Sequence, residues 1–67
     1  MKILNVTCVR HDAGFDVYNV IVDKWSDKRS DKEELYNACD PNNFGGDVLY
    51  VNELNGIHIA RVKIYID

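Results

Sequence analysis

A chain of 67 residues, 46% hydrophobic and 28% charged, is long enough for one folded domain and too apolar for a disordered segment. Its net charge of −3 at pH 7 argues against a strongly basic nucleic-acid binder, and it is too small for a mimic of the charge density of DNA. We therefore expect a single domain over residues 1–67.

The N-terminal segment does not resemble a secretory signal, because polar Asn5, Thr7 and Arg10 interrupt its apolar residues. No stretch approaches the roughly eighteen apolar residues of a membrane span. These features predict a cytoplasmic protein with no membrane partner. Cys8 and Cys39 suit that compartment as reduced, buried residues, and a disulfide between them is the less favoured alternative.

Residues 2–10 and 15–25 are rich in β-branched and aromatic side chains, which predicts two strands joined by the loop 12–14. In a three-residue loop, Gly14 takes the left-handed position. The predicted pairs are His11 with Phe15, Arg10 with Asp16, Cys8 with Tyr18, Val6 with Val20, and Leu4 with Val22. A four-residue loop is the alternative, but it pairs Val6 with Asn19 and so places an amide among apolar partners.

A short helix is predicted over residues 31–40. Ser30 and Glu33 have the spacing of a capping box, and Pro41 ends the helix because the residue before a proline avoids helical geometry. The apolar stripe of this helix is narrow and consists of Leu35, Ala38 and Cys39. After the helix, Phe44 is expected to pack underneath it.

Asn55 and Gly56 are typical of a type I′ turn, which predicts a second hairpin with a two-residue loop. That loop pairs Glu53 with His58, Val51 with Ala60, and Leu49 with Val62. The alternation of side chains gives a core face of Leu49, Val51, Ala60, Val62, Ile64 and Ile66. The other face combines Tyr50, Asn52, Arg61, Lys63 and Tyr65 with Val48, Leu54, Ile57 and Ile59.

The predicted order is β-β-α-β-β. The fold class is α+β, a four-stranded antiparallel sheet from two hairpins with one short helix between them. One short helix covers only part of one sheet face, and a domain this small has little core of its own. We therefore expect a homodimer, or a chain that becomes fully ordered with a partner.

Cys8, His11, Cys39 and His58 are the residue types that bind zinc, but their spacing matches no familiar zinc motif. In a regular strand, Cys8 and His11 point to opposite faces. Neither histidine has an evident third member of a catalytic set, and a chain of this size has little volume for a ligand cleft. The sequence therefore predicts no catalytic residues, no metal, no cofactor and no enzymatic activity.

The face of the second hairpin that carries Tyr50, Arg61 and Tyr65 is the predicted binding surface, because Tyr and Arg are enriched at protein interfaces. The predicted partner-binding residues are Tyr50, Arg61, Lys63 and Tyr65, with Trp25 as an outlying anchor. The charge balance favours a protein partner over single-stranded RNA or DNA, the alternative that basic and aromatic residues on a sheet allow. In size and layout the chain resembles small accessory proteins of bacteriophages and mobile elements, which implies an inhibitor or an antitoxin-like binder.

Overall fold

The computed structural model describes residues 1–66. Their elements are β1 (Ile3–Asp12), β2 (Phe15–Val22), α1 (Arg29–Cys39), β3 (Gly46–Leu54) and β4 (Ile57–Tyr65). The four strands form one antiparallel sheet in the order β1-β2-β4-β3, so the predicted α+β fold is confirmed and β1 and β3 are the edge strands. Within residues 1–66, no helix is long and apolar enough to cross a membrane.

The second hairpin closes through the predicted turn, with positive φ at Asn55 (52°) and Gly56 (83°). The Glu53–His58 and Val51–Ala60 pairs are confirmed. The Leu49–Val62 pair is wrong, because a β-bulge between Val48 and Tyr50 turns Val48 toward Val62. Leu49 is consequently 50% exposed, and Ile66, which was also assigned to the core face, is 37% exposed beyond the end of β4.

The first hairpin has a shorter loop than predicted. Asp12 pairs with Phe15 and His11 with Asp16, so the predicted His11–Phe15 and Arg10–Asp16 pairs are wrong. The extra residue, Val9, lies in a bulge of β1 between Cys8 and Arg10. An edge strand tolerates such a residue because its unpaired backbone groups can reach water.

On the N-terminal side of that bulge, the first pairs of β1 with β2 have the predicted register. Cys8 pairs with Tyr18 and Val6 with Val20, as predicted. A second irregularity between Ile3 and Asn5 then places Ile3 opposite Val22, so the predicted Leu4–Val22 pair is wrong. Leu4 is 49% exposed as a result.

The helix begins at Arg29, two residues before its predicted start, and ends at Cys39. The predicted capping box does not form, because Lys28 is the N-cap residue and Ser30 already lies in the first turn. Instead, the Asp31 carboxylate accepts hydrogen bonds from the backbone N–H (3.1 Å) and the hydroxyl (2.7 Å) of Ser26. These two bonds lower the pKa of Asp31 and tie the preceding loop to the helix.

The core lies between the helix and one face of the sheet. Leu35, fully buried, is the helix side chain at its centre. Its fully buried neighbours in the cluster are Val20, Val22, Ala60, Val62 and Ile64. Trp25 packs against this cluster from the loop between β2 and α1, whereas Phe44 is 74% exposed rather than packed under the helix.

Candidate functional site: the open sheet face and a cluster in the first hairpin

The sheet face opposite the helix, called the open face below, carries four of the five predicted binding residues. Side chains of β2 alternate, so the buried Val20 faces the helix and its neighbours Asn19 and Ile21 face the opposite side. On β3, the bulge leaves both Leu49 and Tyr50 about half exposed, at 50% and 48%, and Leu54 at the end of the strand is 57% exposed. The open face therefore presents apolar surface along one edge of the sheet.

Arg61 lies at the middle of the open face and is held on two sides. Its Nε donates a hydrogen bond of 2.6 Å to the Asn19 side-chain oxygen on β2. Its guanidinium carbon lies 5.7 Å from the ring centroid of Tyr50, the residue paired with it on β3. This distance allows a cation–π contact, so both the arginine and the tyrosine are positioned before any partner arrives.

Lys63 lies between two aromatic rings at the other end of the open face. Its Nζ is 4.2 Å from the ring centroid of Phe15 and 5.1 Å from that of Tyr65. The Tyr65 hydroxyl donates a 2.7 Å hydrogen bond to Asp47, and this bond raises the pKa of Tyr65. A flexible lysine is thus fixed over a small aromatic platform.

Trp25 is not brought together with these residues. It is half-buried and packs against the core cluster on the helix side of the sheet. The structure therefore groups Tyr50, Arg61, Lys63 and Tyr65 on the open face and leaves Trp25 at the end of the core.

The second feature is a group of three polar side chains on the helix side of the first hairpin, called the hairpin cluster below: Cys8, His11 and Asp16. His11 Nδ1 lies 2.7 Å from Asp16 Oδ1, and Cys8 Sγ lies 3.7 Å from His11 Nε2. Asp16 is only 8% exposed, whereas the His11 side chain is 78% exposed. The cluster thus has a buried carboxylate at its base and an imidazole open to water.

The bulge at Val9 creates the hairpin cluster. Without it, Cys8 and His11 would point to opposite faces, as the sequence predicted, and that prediction is wrong. The Cys8 thiol donates to the Arg10 carbonyl across the bulge, at 3.5 Å. The sequence did not predict Asp16 as a site residue, because the predicted register paired it with Arg10 instead of His11. No local sequence pattern indicates that an aspartate next to a turn is buried.

Cys39 and His58, the other two residues of zinc-binding type in the sequence, lie outside the hairpin cluster. His58 Nε2 is 3.5 Å from Glu53 Oε2, across the second hairpin. Cys39 packs against the core, and burial raises the pKa of its thiol to about 12, with smaller contributions from Cys8 and Asp40. Both cysteines are free thiols, so the alternative disulfide is not formed.

A groove of about 470 Å³ lies between the helix and the loop that leads into β3. This volume is within the range of small-molecule sites, although the chain length predicted little room for a cleft. Such sites are lined mainly by apolar side chains, whereas this groove is bordered by Arg29, Lys32, Glu33 and three asparagine or tyrosine side chains. The Arg29–Glu33 ion pair at 3.1 Å occupies two of its charges.

Comparisons of the chain with protein-family models, with curated proteins and with solved structures find no match.

Proposed function

We propose that this chain is a small non-enzymatic modulator, an inhibitor or antitoxin-like accessory protein of the cytoplasm, that binds another protein through the open face. The observation that carries this proposal is the set of half-exposed apolar side chains on β3, Leu49, Tyr50 and Leu54, beside the positioned Arg61. A large aromatic ring and an arginine in fixed rotamers lose little entropy on binding, which makes them effective interface anchors. An origin in a bacteriophage or mobile element fits the size and layout of the chain.

The chemistry of the open face favours a partner with an apolar patch and a nearby carboxylate. Leu49 and Leu54 offer apolar contact area, and the Arg61 guanidinium has donors beyond the Nε–H that Asn19 accepts. A partner carboxylate reaching Arg61 would accept charge-assisted hydrogen bonds in a site from which the surrounding apolar side chains exclude water.

Single-stranded RNA or DNA is the second candidate, and a specific observation favours it. Lys63 over the rings of Phe15 and Tyr65 combines a cation with aromatic surfaces, as base-stacking sites do. Against it, the eight Lys and Arg residues of the chain are outnumbered by eleven Asp and Glu residues. Asp47 also places a carboxylate next to Tyr65, where it would repel a phosphate.

Replacing Tyr50 or Arg61 with alanine is expected to weaken partner binding by about 30-fold each, the equivalent of about 2 kcal/mol at an interface hot spot. The measurement is capture from nuclease-treated and untreated lysate, followed by titration of the captured partner against each variant. Binding that disappears after nuclease treatment would instead support the nucleic-acid candidate.

Two variants off the open face are matched controls for this experiment. Arg29→Ala removes an arginine whose side chain is 92% exposed on the helix, and Phe44→Ala removes a 74% exposed ring in the loop before β3. Both are expected to retain full binding. Equal losses in the controls and in the open-face variants would contradict the assignment of this surface, and thermal melts of all four variants separate binding from folding.

We further propose that, without its partner, the chain covers the open face with a second copy of itself. Sedimentation at micromolar concentration is expected to give a dimer, and Leu49→Glu is expected to give a monomer because it places a charge in the apolar contact. Ala38→Glu, which adds the same charge on the exposed side of the helix, is expected to stay dimeric. A wild-type chain that is monomeric at all concentrations would contradict the dimer and leave the partner-binding proposal standing.

A further inference from the structure

We infer that Cys8, His11 and Asp16 form a three-ligand site for a zinc-class divalent metal ion, with a water molecule at the fourth position. The proposal goes beyond the proposed function, because the hairpin cluster lies on the helix side of the sheet, away from the open face. It rests on the spacing of the ligand atoms, on the burial of Asp16 and on the exposure of His11.

The three side chains are close enough together to reach one zinc ion. Zinc places sulfur and nitrogen ligands about 3.6 Å apart, and nitrogen and oxygen ligands about 3.3 Å apart. Cys8 Sγ is 3.7 Å from His11 Nε2, and one ligand atom from each of the three residues lies within 4.8 Å of the others. To bind an ion together with Cys8 and Asp16, the His11 ring must turn so that one nitrogen lone pair points at the ion, because Cys8 Sγ now lies almost equally far from both ring nitrogens.

The burial of Asp16 and the exposure of His11 both suit a metal site. Asp16 is buried on the inner strand β2, so its carboxyl group is held in place at the base of the cluster. The His11 side chain is 78% exposed and can turn from its 2.7 Å hydrogen bond with Asp16 toward an ion without displacing packed neighbours. Zinc sites that hold a water molecule also have three protein ligands, with the water at the fourth position.

A cysteine nucleophile activated by His11 and Asp16 is the competing interpretation, and it also requires the His11 ring to turn, so the metal titration below is what separates the two. The lone pair of Nε2 points away from Nδ1, so a thiol in line with it would lie about 2 Å farther from Nδ1 than from Nε2. Cys8 Sγ is instead nearly equidistant from the two nitrogens, at 3.7 and 3.9 Å. The groove beside the helix is lined by other residues and does not include Cys8.

Titration with Co²⁺ tests the site, because cobalt bound to a thiolate gives a charge-transfer band and tetrahedral cobalt gives intense visible bands. The full chain is expected to show both, with one equivalent bound and displaced by Zn²⁺. Cys8→Ser is expected to abolish the charge-transfer band, and His11→Gln is expected to weaken Co²⁺ binding about 100-fold. Zn²⁺ is also expected to raise the melting temperature of the wild-type chain and not that of either variant.

Cys39→Ser and His58→Gln are the matched controls, since each removes the same residue type outside the hairpin cluster. Both are expected to retain the cobalt spectrum. His11→Gln changes an exposed side chain, so its folding is secure even where Cys8→Ser destabilises the sheet. The inference is overturned by a wild-type chain without a charge-transfer band, by a band that Cys39→Ser removes, or by equal affinity in wild type and His11→Gln.

Discussion

Replacing Leu35 with alanine is expected to cost about 3 kcal/mol and to leave the chain only marginally stable at 25 °C. Leu35 is fully buried and is the helix side chain at the centre of the core cluster. A buried leucine truncated to alanine costs about 2–5 kcal/mol, because the transfer free energy is lost and a cavity stays behind. A core of this size supplies only about 3–5 kcal/mol in total, so one substitution removes most of it.

Urea titration followed by circular dichroism measures this effect. Leu4→Ala is the matched control, because Leu4 is 49% exposed in the irregularity between Ile3 and Asn5. Its loss is expected to cost less than about 1 kcal/mol. Similar losses in the two variants would show that the helix is not fixed to the sheet through Leu35.

Gly46→Ala is expected to destabilise the fold by about 1–3 kcal/mol, the usual cost of overpacking. A Cβ at this position would lie 2.7 Å from the Lys63 carbonyl oxygen and 2.9 Å from Tyr36 Cδ1. The backbone of β4 cannot give way as a flexible side chain can, so β3 must move away from β4 at its first residue.

Gly14→Ala is the control that distinguishes overpacking from an unfavourable backbone conformation. Gly14 has a φ of +85°, and a Cβ there meets nothing within 4 Å, so its replacement carries only the cost of the backbone conformation, about 1 kcal/mol. Shortening Tyr36 in the Gly46→Ala chain is expected not to restore stability, because the closest atom is the carbonyl. Full recovery on shortening Tyr36 would contradict this explanation.

The fold was predictable where the sequence carries local signals. Asn55 and Gly56 supply two positive φ angles and therefore fix the second hairpin at Glu53–His58 and Val51–Ala60. The bulges were not predictable, because the extra residue in each of them is apolar and directly follows another apolar residue. Val48 and Leu49, for example, are interchangeable by pattern, and only the tertiary packing selects which one faces the core. The helix start was displaced for a similar reason, since Asp31 bonds Ser26 and the predicted capping box is not used.

The two candidate sites also differ in how far the sequence predicts them. The open face follows from alternation on β4, where Arg61, Lys63 and Tyr65 share one side whatever happens at the edges. The hairpin cluster depends on a single inserted residue, Val9, and on the burial of Asp16, neither of which leaves a motif in the sequence. A site made by a register shift is invisible to spacing rules, which assume regular strands.

The bulges also control how this protein meets other β-sheets. Both edge strands are interrupted, β1 twice and β3 once, at Leu4, Val9 and Leu49. A regular edge offers a continuous row of free N–H and C=O groups on which a foreign strand can add, the first step of sheet-to-sheet aggregation. Here that row is broken within a few residues on each side of the molecule, so strand addition at the edges is hindered while the broad surface of the sheet stays free for contact.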